Sequence, residues 1–124
     1  MYLIDTNILI YHINKNIPGN SRLRLRQIFQ HYFNISVITK MEFLGFKRHT
    51  EKSFRKSSKF LEHASIIDLD DEIVDIVISL KRNKSMKLPD AIIAATAIRK
   101  RWTLVTRNES DFRNINLDIY NPFS

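Results

Sequence analysis

The chain has 124 residues, 44% of them hydrophobic and 10% aromatic, with two glycines and three prolines. This composition suits one packed core and excludes a disordered segment or a repeat array. The absence of cysteine excludes disulfides, thiolate catalysis and Cys-containing zinc sites, and it suits a reducing, cytoplasmic location.

Twenty Lys and Arg against thirteen Asp and Glu leave a net charge of +7. The excess favours a polyanionic partner, nucleic acid before an anionic membrane surface, with plain solubility as the alternative. No apolar run approaches the ~20 residues that cross a bilayer. The N-terminus lacks a basic leader and a small-residue cleavage site, so neither a membrane anchor nor a secretory signal is expected.

Tyr2 to Ile4 predict a short strand, and a helix starting at Thr6 or Asn7 carries Ile8 to Ile13, which leaves Asp5 at the junction. Ile17 to Asn20 (IPGN) predict a turn. In the following SRLRLRQIFQHYF, Leu25, Ile28, Phe29 and Tyr32 fall on one helical face. The β-branched stretch Ile35 to Thr39 predicts a second strand. A helix follows, in which Thr39 and Glu42 have capping-box spacing and Phe43, Leu44 and Phe46 supply apolar surface. The basic segment from Phe46 to His63 predicts a helix with a wet, positive face and Phe54, Phe60 and Leu61 as anchors.

Ser65 to Leu69 predict a third strand. Asp70 or Asp71 then caps a helix with Ile73, Val74, Val77, Ile78 and Leu80 as its buried stripe. After the turn NKSMKLP, Pro89 suits a helix first turn, and Ala91 to Arg101 continue an Ala-rich helix. Thr103 to Thr106 and Leu117 to Tyr120 predict a fourth and a fifth strand. Strands alternating with helices predict an α/β fold with a parallel sheet, whose ligands bind beyond the carboxyl ends of the strands.

Four acids fall at such ends: Asp5, Glu42, Asp90 and Asp111. Each has a structural explanation of its own. Glu42 can complete a capping box with Thr39, and Asp90 can stabilise a helix N-terminus by about 0.3–1 kcal/mol. Asp111 can be an ordinary loop acid, near a further capping-box spacing between Thr106 and Glu109. Asp5 is harder to explain so, because its apolar flanks predict a poorly hydrated position where an unpaired carboxylate is costly. Two like charges about 4 Å apart repel by roughly 4 kcal/mol at an effective dielectric of 20. Four clustered carboxylates therefore call for a divalent cation, and an all-oxygen donor set suits Mg²⁺ or Mn²⁺. His12, His31, His49 and His63 share no metal-ligand spacing. A ribonuclease working with two histidines is the weaker alternative.

LIDTN at Leu3 to Asn7, MEF at Met41 to Phe43, LPDAIIAATA at Leu88 to Ala97 and TRNESDF at Thr106 to Phe112 resemble the PIN-domain nucleases. Within that family the likeness is to the VapC-type toxins of toxin–antitoxin pairs. The resemblance implies one domain over residues 1–124, a PIN-like α/β/α sandwich around a central, mainly parallel sheet of about five strands. It also implies endonucleolytic cleavage of structured cellular RNA such as tRNA, dependent on Mg²⁺ or Mn²⁺. By position, Asp5, Asp90 and Asp111 are then the expected metal ligands, and Glu42 acts through a bound water or as a base. Thr6, Asn7, Thr106 and Asn108 orient the carboxylates or the scissile phosphate. Some family members carry an acid where this chain has Asn108, and an amide brings no charge to a second ion.

Homodimerisation and silencing by a small antitoxin that fills the active-site groove are further implications of the resemblance. The apolar residues of the second helix and of the Phe-bearing Glu42 helix are candidates for those surfaces, with core packing as the alternative. RNA contacts are expected from Arg22, Arg24 and Arg26 and from Lys47, Arg48, Lys52, Arg55, Lys56 and Lys59, with a solvated charged face as the alternative. Two rival readings are a non-catalytic PIN-like binding module and an Asp-nucleophile phosphatase. The second would want an Asp where Asn7 stands.

Overall fold

A computed structural model describes residues 1–14 and 17–124. Five strands, β1 (Tyr2–Ile4), β2 (Phe33–Ser36), β3 (Ala64–Ile67), β4 (Thr103–Val105) and β5 (Ile119–Tyr120), form one sheet in the order β3-β2-β1-β4-β5, with every pair parallel. The helices are α1 (Thr6–Asn14), α2 (Gly19–Ile28), α3 (Val37–Leu44), α4 (Glu51–Phe60), α5 (Asp71–Asn83) and α6 (Leu88–Lys100), with short 3₁₀ turns at Leu61–His63 and Glu109–Phe112. The fold is the α/β/α sandwich expected from the sequence. No helix among the described residues is long and apolar enough to cross a membrane.

Alternation along the two central strands builds both faces. Leu3 and Leu104 join a core cluster with Ile73 and Val77 of α5, Ala91 to Ala95 and Ala97 of α6, and Phe112. Ile4 and Val105 point the other way, into a cluster with Ile8 and Leu9 of α1, Leu25 of α2, Ile35, and Phe43 of α3. With helices on both faces, the chain leaves β1 toward β2 on one side and reaches β4 on the other. The crevice between β1 and β4 is thus the switch point at which parallel sheets bind ligands. The register Ile4↔Val105 puts the next residues, Asp5 and Thr106, side by side there.

The structure moves several predicted boundaries. The second strand begins at Phe33 and stops at Ser36, because Val37 to Thr39 already belong to α3. Ser36 is the cap, its hydroxyl accepting the Ile38 N–H at 3.2 Å. Thr39 therefore lies inside the helix and forms no capping box with Glu42. Thr106 and Glu109 form none either, since Glu109 instead accepts the Asn121 side-chain amide at 2.9 Å. The second helix ends at Ile28, so Tyr32 falls outside it and is 80% exposed.

On α5, capped as predicted by Asp70, Ile73 and Val77 are buried, but Val74 and Ile78 are 40% and 51% exposed. Residues 73, 77 and 80 lie along the stripe that meets α6, and residues 74 and 78 sit on its solvent shoulder. Phe54, expected as an anchor, is 44% exposed, whereas Phe60 and Leu61 pack inward. The last strand is only Ile119–Tyr120, shorter than the predicted run from Leu117.

Candidate active site

Asp5 follows β1 without a loop. Its N–H completes the sheet by donating to the Val105 carbonyl at 2.9 Å, and its carbonyl accepts the Ile8 N–H at 3.1 Å as α1 begins. The backbone is thus fixed on both sides, and the side chain is 6% exposed. Three donors hold the carboxylate. The Thr6 N–H reaches Oδ1 at 2.7 Å, and the Thr106 hydroxyl and the Asn7 amide reach Oδ2 at 2.7 and 3.1 Å. Thr106 is itself buried, and its oxygen accepts the Asn108 N–H at 3.0 Å. Asn108 thus acts here through its backbone.

Burial pushes the Asp5 carboxyl up to about 6. The Thr106 and Thr6 hydrogen bonds oppose the shift, and the negative charges of Asp90 and Glu42 add to it. Glu42 stands on α3, six residues beyond the Ser36 cap, and is exposed. Its Oε1 accepts the Thr6 hydroxyl at 2.7 Å, and Thr6 Oγ1 also lies 3.1 Å from the buried Thr39 hydroxyl. One residue after Asp5, Thr6 thereby ties the first helix to the third. Asp90 sits half-buried in the first turn of α6, directly after Pro89. Its carboxyl is raised by burial, then by Asp111 and Glu42, and Lys87 pulls it back. Asp111 is exposed in the turn Glu109–Phe112, which Phe112 pins into the core.

Charge links the four predicted acids beyond the carboxyl ends of the strands, Asp5 with Asp90 and Glu42, and Asp90 in turn with Asp111 and Glu42. Among the described residues, no three His, Cys, Asp or Glu side chains stand close enough together to hold a metal ion. The donor set nevertheless fits a hard divalent cation. It is all-oxygen, and two of its members, Asp5 and Asp90, are raised partly by their acidic neighbours, a strain that bound positive charge relieves.

Beside Glu42 opens a groove of about 310 Å³ between α1, α3 and α4, lined by Ile10, Ile13, Phe43 and Phe46 with Arg48 and Lys56. His49 pins its wall, one ring nitrogen on the Phe43 carbonyl at 2.8 Å and the other on the Ser53 hydroxyl at 2.9 Å. Of the predicted basic set, Arg48 and Lys56 share this groove with Glu42. Lys59 and Lys56 line an adjoining hollow with His12 and His63. Arg22 and Arg26 line a separate hollow with His12 and Ile17. Arg24 is occupied elsewhere, donating to the Pro122 and Ser124 main-chain oxygens at 3.2 and 2.6 Å. Lys47, Lys52 and Arg55 are exposed and line none of these hollows. The second helix gives the groove no residue, since Leu25 is core.

Two basic residues at the site were not singled out by sequence. Lys87 betrays itself only by its i, i+3 spacing to Asp90. Arg107 follows the buried Thr106 and packs on Tyr11 and Phe123. Phe123 lies sixteen positions along the chain, and no local pattern connects it to Arg107.

The family model for the PIN domain matches residues 2–117. No curated protein matches the chain at a significant level. Among solved structures, the fold is similar to a chain of a toxin–antitoxin complex from Klebsiella pneumoniae, with 31% identity, TM-score 0.81, and coverage of 100% of this chain and 99% of that one. It is also similar to VapBC2 from Rickettsia felis, bound to a DNA fragment from its promoter, at 28% identity and TM-score 0.79 over 97% of both chains. VapBC-1 from nontypeable Haemophilus influenzae shares the fold at 24% identity and TM-score 0.80 over 99% and 98%. The chain belongs to the PIN-domain family, and it is similar to chains of solved toxin–antitoxin complexes, a VapBC complex among them.

Proposed function

We propose that the protein is a metal-dependent endoribonuclease, the toxin of a VapBC-type pair, cutting structured cellular RNA such as tRNA in the cytoplasm. The observation that carries the reading is the convergence of Asp90 and Glu42 on the buried Asp5 at the β1/β4 crevice, with Asp111 beside Asp90. Asp5, Asp90 and Asp111 would hold Mg²⁺ or Mn²⁺. Such an ion supplies activation of water and neutralisation of charge on the leaving oxygen.

The chain's own residues do the rest. Thr106 and Asn7 hold Asp5 Oδ2 in one orientation. Thr6 fixes Glu42, which as the exposed, hydrogen-bonded carboxylate is the group suited to take a proton. Arg48 and Lys56 neutralise phosphates along the groove without reading sequence. That same groove, apolar with a charged rim, is assigned to the antitoxin. Its partner class follows from the toxin–antitoxin complexes among the neighbours, and a homodimer belongs to the same reading.

The test is purified protein on total RNA with Mg²⁺ or Mn²⁺, with and without excess chelator. Cleavage is expected only with metal, and Asp5→Asn is expected to lower it on the order of 10³-fold or more, the scale lost when a central catalytic group is removed. Cleavage that survives chelator or the substitution would overturn the metal mechanism. It would redirect attention to His31 and His63, which line one hollow with Tyr32 where β2 and β3 begin. Absence of Mn²⁺ binding by calorimetry would favour the non-catalytic module.

A further inference from the structure

Arg107 begins the loop after β4. Its backbone N–H faces Asn7 Oδ1 at 3.5 Å, and Asn7 in turn holds Asp5. Its side chain runs along α1 to Tyr11, one helical turn or roughly 6 Å from Asn7. There the guanidinium carbon sits 4.9 Å from the Tyr11 ring centroid and 4.5 Å from that of Phe123. The two rings lie 5.1 Å apart at 56° and form a notch under the cation.

Three links hold the notch. Arg24 clamps the main-chain oxygens on either side of Phe123, the Phe123 N–H donates to Asn121 Oδ1 at 2.9 Å, and Asn121 reaches back to Glu109. Among the described residues the guanidinium donates no hydrogen bond and joins no ion pair, and Arg107 is exposed. A guanidinium held against two aromatic rings, with its N–H groups unspent, is a pre-set receptor for a phosphate.

Building on the endoribonuclease reading, we propose that Arg107 is a substrate-positioning residue, its guanidinium held by the Tyr11–Phe123 notch to grip an RNA phosphate about one helical turn from the carboxylates. Arg48 and Lys56 line the groove beside Glu42, so a bound strand would meet further positive charge there.

The experiment is binding of a labelled single-stranded RNA oligonucleotide in chelator, where cleavage is silent, by anisotropy across a salt titration. Arg107→Ala is expected to weaken binding roughly tenfold and to lower the salt slope by about 0.7, the value for one phosphate contact on a single strand. Arg107→Lys should keep the slope and lose about threefold, because charge remains and the stacked fork does not. Phe123→Ala should do likewise by loosening the notch.

Equal affinity and slope for Arg107→Ala and wild type would overturn the assignment and leave Arg107 only a clamp for the chain around Phe123. So would a wild type that binds no RNA at any salt. If Arg107→Ala fails to fold, Arg107→Lys decides, and wild-type affinity in it overturns the proposal. A wild type that binds but cuts nothing with Mn²⁺ would remove the nuclease reading and leave the grip standing.

Discussion

Asp5 and Asp111 stand at the same edge of the sheet, one directly after β1 and the other in the turn after β4, in opposite surroundings. Asp5 is buried, takes three hydrogen bonds and is pushed up to about 6. Asp111 is exposed on a turn whose only deep anchor is its neighbour Phe112. A site assembled from both has a rigid floor and an adjustable rim. The floor carries a standing electrostatic cost in the metal-free protein. Bound cation would reverse the cost at the floor, so the largest effects of metal, pH and mutation should concentrate at Asp5.

The pH dependence of stability breaks the comparison most sharply after the loss of cleavage already described. The Asp5 pKa is raised in the folded state, from 3.8 to about 6, so between those values the folded chain binds more protons than the unfolded one. Stability of the chelated protein should therefore be highest below pH 4 and fall as pH rises to 6 and beyond. The shift of about 2 units corresponds to a loss on the order of 3 kcal/mol. Urea unfolding between pH 4 and 7.5 measures it. Asp5→Asn should remove the slope, and at pH 7 it should raise metal-free stability by about 1–2 kcal/mol, less than the full gain because the Asn7 amide loses its acceptor, while the Thr106 hydroxyl can turn to accept from the new amide. A wild type equally stable across the range would mean that Asp5 is not strained.

A smaller change is expected one step out. Thr106→Val keeps shape and deletes the hydroxyl that donates to Asp5 and accepts from Asn108. The Asp5 carboxyl should rise further, and stability should fall by about 1–3 kcal/mol at pH 7.5 but less at pH 4.5, where Asp5 is protonated and needs that donor less. Cleavage should drop about 10–100-fold, the usual cost of losing an outer partner of a metal ligand. Denaturation at the two pH values, run beside an RNA cleavage assay, separates these outcomes from simple loss of packing.

The floor was legible in the sequence and the rim less so, for a physical reason. Asp5 interrupts an apolar run, and an interruption of that kind is unfavourable unless the position has a purpose. Asp90 is read almost as directly, from the Pro89 start and the buried Ala-rich helix behind it. The boundary after β2 was misread because Val37, Ile38 and Thr39 are β-branched and suit a strand locally. The Ser36 cap and packing of α3 on the sheet override that preference. The exposed Val74 and Ile78 and the Arg107 notch escaped for a related reason: both depend on which elements meet in space, and local periodicity does not carry that information.

The smallest expected effect tests the other half of the comparison. No hydrogen bond holds the Asp111 side chain among the described residues, so Asp111→Asn should shift stability by less than about 0.5 kcal/mol, as surface substitutions commonly do. It should lower the Asp90 carboxyl toward its ordinary range, because Asp111 is the largest charge acting to raise it. Mn²⁺ affinity should nonetheless fall by about tenfold or more if the rim supplies a ligand, since a lost metal contact does not depend on how well the side chain was packed beforehand. Calorimetric Mn²⁺ titration and thermal melts on the same sample read both quantities. A variant that binds Mn²⁺ like wild type would confine the ligands to Asp5 and Asp90, whereas a large drop in stability without metal would show that Asp111 belongs to the floor.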